Sequence, residues 1–346
     1  MSGGVDSSVC AALLLERGFE VIGMFMKLWS ENENRCCNID ALEGARKVAA
    51  RLKIPFYVVD LKKEFKDTVV SDFIDNYADL KTPNPCVVCN RKIKFDFLLK
   101  KALAIGADHL ATGHYVRIAQ ESETKNVKLK TAVDSCKDQS YFLWTLTQDQ
   151  LKHVLFPIGD FKKSEVRKMA KKWRLPTAER PESQGICFIK EKNTRKFLAE
   201  NIKIKPGPIK DQNNQIVGRH LGLPFYTIGQ RQGIKVPAQS SKTAPLYVVD
   251  TDQKTNTLYV GKEDNLYKKE LRAEKISWIS GEPKTDKMSA RIRYGHPAIP
   301  CRISRIQKQG DKLKVIFSKA VRAITPGQSI VFYQKDQVLG GGIIER

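Results

Sequence analysis

Three stretches of this chain carry groups able to do chemistry, and they lie far apart. The first is SGGVDSS, Ser2 to Ser8. Gly3 and Gly4 open backbone angles closed to other residues and let a ligand approach the main chain. Ser2, Ser7 and Ser8 set hydroxyls beside them, and Asp6 adds a carboxylate able to hold Mg²⁺ or orient the loop. An apolar helix follows at once, so its leading N–H groups and the loop together form a cradle for an anion. No Lys follows the glycines, which excludes an ordinary phosphate-transferring P-loop. The second stretch is TPNPCVVCNRKIKF, where Cys86 and Cys89 precede Arg91, Lys92 and Lys94. Neighbouring cations favour the thiolate, the nucleophilic form. The pair also reads as half a zinc site, yet no second C-x-x-C or paired His follows at ligand spacing. The third stretch, SQGICFI, supplies Cys187 beside a turn of small residues. Alone it reads as an inert buried thiol; with Cys89 it could divide a sulfur transfer, one thiol carrying a persulfide and the other attacking it or closing a disulfide.

These groups need elements to aim them. A short helix from Ser7 to about Leu15 closes at Gly18, and EVIGMFM, ending at Met26, is strand-like. Asp40 and Glu43 have capping-box spacing ahead of Leu42, Ala45, Ala49 and Leu52, one apolar helical face. PFYVVD is the next strand; Phe65, Val69, Phe73 and Tyr77 mark another helix, TPNPCVVCN breaks it, and a helix from Lys92 to Ile105 leads to a strand centred on Leu110. Strands and helices in alternation predict an α/β domain with a parallel sheet, ligands binding beyond the carboxyl ends of its strands. Met26 and Gly113 with His114 fall at such ends. A sheet of this kind needs a strand ahead of the opening loop, so a start upstream of Met1 is expected. After about Lys196 short β-rich runs replace helices. The expected organisation is residues 1–196 as the catalytic domain, 197–265 as a small β-rich connecting domain and 266–346 as a C-terminal β-barrel.

Sixty Lys+Arg against 38 Asp+Glu leave a net charge of +22, spread along the chain as in RKMAKKWR, Arg167 to Arg174. Such an excess points to a polyanionic partner, RNA or DNA. The apolar run VCAALLL is far shorter than the roughly 20 residues a bilayer span requires. Eight cysteines in 346 residues are too few for a disulfide scaffold and indicate a reducing, cytoplasmic setting.

SGGVDSS is similar to the pyrophosphatase-type loop of enzymes that cleave ATP to AMP and pyrophosphate, a group spanning amide-forming synthetases, lysidine synthases and sulfur-inserting enzymes. Together with TPNPCVVCN, TGHY, KDQSYFL, SQGICFI, TPGQS and LGGGIIE, it makes the chain resemble the tRNA-specific 2-thiouridylases from Ser2 to Arg346. That resemblance implies ATP and Mg²⁺ at Ser2, Gly3, Gly4, Val5, Asp6, Ser7 and Ser8, with Met26 meeting the adenine through its backbone and Gly113 lining the pocket. It implies Cys89 as nucleophile and Cys187 as the persulfide-bearing cysteine. It places Asn84, Pro85 and Cys86 near the target base, and His114, Lys137, Asp138, Gln139, Arg293, Tyr294 and Gln328 against tRNA. Members of that family often carry Asp where Cys86 stands; a thiol assists proton movement on uracil less readily near neutrality. The same change lets Cys86, Cys89 and Cys187 offer three ligands to an iron–sulfur cluster. Cys36 and Cys37 are adjacent and too strained to pair with each other. The implied activity is ATP-dependent 2-thiolation of the wobble uridine in the tRNA anticodon by a monomer fed by a persulfide or sulfur-carrier protein. Two other readings stay open: an ATP-dependent ligase in which the cysteines are incidental, and a non-catalytic RNA-binding protein with a metal at Cys86 and Cys89.

Overall fold

The computed structural model describes residues 1–31, 39–121, 126–182, 185–189, 193–234, 236, 245–306 and 312–346. Cys36, Cys37, Ser183 and Gln184 lie outside the described residues. Helix α1 (Val5–Glu16) starts immediately after the opening loop and is apolar all round; Val9, Leu13 and Leu14 are buried, as befits a helix covered on every side. Strand β1 (Gly23–Lys27), helix α2 (Ile39–Leu52) and strand β2 (Phe56–Asp60) follow, with β1 and β2 parallel. The expected cap at Asp40 is corrected: α2 already includes Ile39, so Asp40 lies inside its first turn, where a carboxylate still favours the helix dipole.

A long helical passage then runs through α3 (Lys62–Phe65), a π-helical turn at Lys66–Val70, and α4 (Ser71–Ala78). After Thr82 it resumes with α5 (Pro85–Val88), a second π-helical segment at Cys89–Leu98, and α6 (Leu99–Ala104). The break expected at TPNPCVVCN falls on its first three residues: the chain leaves the helix after Ala78 and re-enters it at Pro85. Asn84 caps the helix, its side chain accepting from the N–H of Val87 at 3.4 Å, and Pro85 takes the first helical position, where a missing N–H costs nothing. Both cysteines ride on the helix instead of a loop.

Strand β3 (Leu110–Ala111) comes next, then the hairpin β4 (Val116–Gln120) and β5 (Val127–Thr131). Helix α7 (Gln148–Lys152) leads to β6 (Val154–Leu155), which pairs in parallel with β3, and α8 (Lys163–Lys172) packs its Val166 and Ala170 toward α1. Among the described residues of the first domain the parallel strands form two separate pairs, β1–β2 and β3–β6.

Helix α9 (Thr194–Asn201) opens the middle domain, a sheet of β7 (Gly207–Lys210), β8 (Ile216–His220), β9 (Tyr247–Asp252) and β10 (Thr257–Gly261) in the order β8-β7-β10-β9. The C-terminal sheet contains β11 (Tyr267–Trp278), β12 (Lys287–Arg291), β13 (Ile299–Arg305), β14 (Leu313–Arg322), β15 (Ser329–Gln334) and β16 (Gln337–Ile344). Pairing of β11 with β16 closes these strands into a barrel. Gly340, at φ +155, lies where any Cβ would overlap the carbonyl of Ser277, which is how the two closing strands come so near.

The β4–β5 hairpin, which belongs in sequence to the first domain, extends this barrel: β5 pairs with β16 through Lys130↔Gln337 and Leu129↔Val338. KDQSYFLW then plugs into β15. Tyr141 donates its hydroxyl to the carbonyl of Ser329 (2.8 Å), and the indole of Trp144 donates to the Ser329 hydroxyl (3.1 Å). Asp138 is 4% exposed and takes Arg291 of β12 at 2.6 Å, along with the Ser140 hydroxyl at 2.9 Å. The Asp138 side chain, expected against tRNA, is buried here and joins two domains. Among the described residues no helix is long and apolar enough to cross a membrane. Removing one member of such a buried pair strands the other's charge, so Asp138→Ala is expected to lower unfolding free energy by about 3 kcal/mol in urea titration.

Candidate active site

The opening loop is a built cradle. Gly3 has φ +71 and faces the carbonyl of Ala41 so closely that a side chain would collide with it. Gly4 is the N-cap of α1, leaving the N–H groups of Val5, Asp6 and Ser7 without a carbonyl in their own helix. Ser7 accepts from the N–H of Ser2 (3.1 Å) and donates to the carbonyl of Gly4 (3.1 Å), which curls the loop around the helix end. Two of the seven expected ligand residues face inward. Val5 is part of the core around α1, and the hydroxyl of Ser8, fully buried, donates to Gly4 (2.9 Å) and accepts from Thr177 (2.8 Å). Their side chains hold the loop; they have nothing left to offer a phosphate.

Asp6 is engaged as well. Lys163 places its ammonium 2.7 and 2.8 Å from the two carboxylate oxygens, and the hydroxyl of Tyr115 donates to one of them at 2.8 Å. Lys163 also pairs with Glu182 (3.2 Å), which accepts from Lys137 (2.8 Å), so alternating charges run from the loop to the KDQ segment. The hydrogen bond from Lys137 holds the Glu182 carboxyl below its ordinary range. Lys163, Tyr115 and Glu182 are not among the residues that motif reading singles out. The signal at Lys163 is a cation at the first position of α8, where it opposes the helix dipole and needs a partner to justify it.

Gly113, His114 and Tyr115 tie the loop to the cysteine helix. A Cβ on Gly113 would sit 2.8 Å from the backbone of Asp6 and Ser7, so this strand end lies flat against the first turn of α1. His114 turns the other way, between the rings of Phe95 and Phe156, with Nδ1 2.8 Å from the hydroxyl of Thr112 and Nε2 3.3 Å from the ammonium of Lys94. Burial first, then the Lys94 charge, pushes its pKa well below the ordinary value, so the ring is neutral, Nε2 accepting from Lys94. His114, expected at the RNA face, is a residue only 8% exposed, with two aromatic side chains closing over its ring.

Cys89 is buried in the large apolar cluster that also contains Phe65, Phe73 and Phe188, while Cys86 is exposed. Met26, next to last in β1, and Cys187 both pack against that same cluster. Phe188 anchors the Cys187 turn, with ring centroids 5.7 Å from Phe65, 5.3 Å from Phe73 and 5.8 Å from Phe197. Both thiols and this strand end thus border one extended apolar cluster. No disulfide links the described cysteines.

Three family models match the chain in order: a tRNA methyl transferase HUP domain over residues 1–191, a tRNA methyl transferase PRC-barrel domain over 195–262, and an aminomethyltransferase beta-barrel domain over 268–344. Over its whole length the chain is 47% identical to tRNA-specific 2-thiouridylase MnmA 2 of Thermoanaerobacter sp. (strain X514), covering 96% of that protein. It belongs to the tRNA-specific 2-thiouridylase family. The corresponding protein of Carboxydothermus hydrogenoformans is 45% identical, again with 96% covered. The solved structure of the U34-tRNA thiolase NcsA from Methanococcus maripaludis aligns with 58% of this chain and 61% of its own at 19% identity, with a TM-score of 0.36.

For a member of the 2-thiouridylase family, several residues expected against tRNA are already committed to the protein. Gln139 accepts from the N–H of Tyr115 (3.0 Å). Arg293 donates through Nη2 to the carbonyl of Ala323 and the hydroxyl of Thr325, both at 2.8 Å. Gln328 donates to the carbonyls of Thr82 (2.8 Å) and Pro83 (3.2 Å). Lys137 is partly exposed, as is Tyr294, whose ring stacks on Phe142 at 4.6 Å. Metal sites fit less well. Among the described residues no group of three His, Cys, Asp or Glu could hold an ion, so Cys86, Cys89 and Cys187 do not form a ready ligand set for an iron–sulfur cluster. Asp6 has both carboxylate oxygens engaged by Lys163 and one also by Tyr115, an arrangement that orients the loop.

Two outcomes follow from burial. Because His114 stays neutral when folded while the unfolded ring takes a proton near 6.5, its contribution to stability is present above that pH and lost as pH falls below it. Unfolding free energy should decline on acidification by up to about 1.4 kcal/mol per pH unit from this group, and His114→Gln should flatten the slope. Burial pushes the Cys10 and Cys301 thiols up to about 12, so alkylation at pH 8, mapped by mass, should label exposed Cys86 and Cys136 first and those two last.

Proposed function

We propose that this protein uses ATP to convert the wobble uridine of tRNA to 2-thiouridine. The observation that supports the reading is that Cys89, Cys187 and Met26 border the same apolar cluster, while the Gly113–Tyr115 segment abuts the opening loop. Its relatives carry the name tRNA-specific 2-thiouridylase, and a net charge of +22 suits an RNA substrate.

The chemistry follows from what uracil lacks. Its C2 oxygen is a poor leaving group, so it first attacks the α-phosphorus of ATP and expels pyrophosphate. The N–H groups at the start of α1, with the curled loop, take the negative charge that gathers on the phosphates, and Lys163 adds a cation beside them. The terminal sulfur of a persulfide on Cys187 then attacks C2, and AMP departs with the former C2 oxygen. Cys89 thiolate attacks the Cys187 sulfur, forming a Cys89–Cys187 disulfide and leaving 2-thiouridine. A thiol reductant resets the pair, and a sulfur-carrier protein reloads Cys187. Asn84, Pro85 and exposed Cys86 present the turn that the flipped base approaches, with Lys137 and Tyr294 among the groups available to the RNA.

Unmodified tRNA, ATP, Mg²⁺ and a persulfide source, followed by digestion and nucleoside mass spectrometry, test this directly. The wild type should yield 2-thiouridine and AMP, and Cys89→Ala and Cys187→Ala none of the thionucleoside; full activity of Cys187→Ala would favour the ligase reading. Binding of tRNA should weaken by roughly a hundredfold or more between 50 and 200 mM salt, since neutralised phosphates release counterions; a flat response argues against an RNA substrate.

A further inference from the structure

The turn that follows α8 reaches back to the opening loop at both of its ends. Buried Thr177 donates its hydroxyl to that of Ser8 at 2.8 Å. Arg180, whose own N–H bonds the carbonyl of Thr177, extends Nη1 to the carbonyls of Gly3 (3.0 Å) and Asp40 (3.2 Å). One guanidinium nitrogen therefore ties the loop to the first turn of α2. The turn is itself fixed to α8, because Arg167 donates to the carbonyls of Ala178 (3.0 Å) and Arg180 (3.4 Å). Gly44 of α2 completes the joint. A Cβ there would meet Nη1 of Arg180 at 2.9 Å while staying 3.7 Å from the carbonyl oxygen of Gly3, so a methyl group at 44 would crowd the guanidinium and spare the loop.

We propose that Arg180 is a positioning residue for the phosphate-binding loop: it fixes the Gly3–Gly4 peptide so that the N–H, and not the carbonyl, is available to the phosphates. The proposal rests on the function above only in taking Ser2–Ser8 as the loop that meets ATP. The peptide between Gly3 and Gly4 is trans and planar, so its carbonyl and its N–H point in opposite directions. Holding the carbonyl against α2 turns the Gly4 N–H the other way. Such a peptide flips by changing ψ of the first residue and φ of the second, and here both are glycines, which resist neither change. The sequence that lets a phosphate approach the backbone thus also lets that backbone present the wrong dipole. A flipped peptide would set a carbonyl oxygen against an anion, and the clamp from Arg180 opposes the flip.

The test uses the full chain with Arg180→Ala, Arg180→Lys and Gly44→Ala. The last keeps the guanidinium but displaces it, and because alanine is the better helix former its Tm should equal or exceed that of the wild type. Four quantities are read: Tm, Kd for ATP with Mg²⁺, Kd for adenosine, and the Gly4 amide resonance of glycine-labelled protein without nucleotide. Expected is an ATP Kd raised about tenfold in Arg180→Ala and Gly44→Ala and about threefold in Arg180→Lys, which keeps a donor of similar reach. Adenosine, having no phosphate, should bind all three within about twofold of the wild type. The Gly4 resonance should move in Arg180→Ala and Gly44→Ala. A weakened ATP Kd with an unmoved Gly4 resonance would make Arg180 a direct phosphate ligand and overturn the proposal. An equal loss for adenosine would overturn it too, as would an ATP Kd within about twofold of the wild type in Gly44→Ala. Failure of the wild type itself to bind ATP would fall on the reading of the loop; the Gly4 resonance, recorded without nucleotide, still decides whether Arg180 sets the peptide.

Discussion

Gly113 lies against the first turn of α1 with no room for a methyl group, and the layout of the site descends from that contact. Three successive residues leave the end of β3 in three directions. Gly113 abuts the loop, His114 reaches the cysteine helix through Lys94 and Phe95, and Tyr115 reaches Asp6. A side chain at 113 would push the strand end away and uncouple the nucleotide cradle from the sulfur-bearing helix. Because the coupling passes through a neutral buried imidazole and a hydroxyl, not a pair of full charges, it avoids the desolvation cost that a buried ion pair would carry.

Most of the local pattern can be read from residue order. The β1–α2–β2 unit and the strand at Leu110 follow from apolar periodicity, and the cradle at Ser2–Ser8 from its glycines and hydroxyls. What periodicity cannot carry is long-range pairing. The Val116–Thr131 hairpin looks like part of the first domain yet binds β16, because an edge strand accepts any partner in register, wherever it lies in the chain. TPNPCVVCN looks like a break because it holds two prolines, but the second stands where helices tolerate it.

Residues that resemblance assigns to RNA fall into two physical groups. Asp138, Gln139, Arg293 and Gln328 each have at least one polar atom hydrogen-bonded to another part of the chain, whereas Lys137 (itself paired with Glu182), Tyr294 and Cys86 keep exposed surface. A polar side chain at a domain joint and one at a ligand face look alike in sequence, since both need donors and acceptors. Only burial and partner identity separate them.

The hairpin lent to the barrel sets how the molecule comes apart. A cut at any point between the first and last domains leaves β16 without β5 and the first domain with an unpaired ribbon, so neither fragment is a self-contained unit. Melting of one half exposes an adhesive edge on the other, and the two should denature together despite the length of chain between them. Exchange of the terminal module among relatives would accordingly require the ribbon from the front of the chain to travel with it.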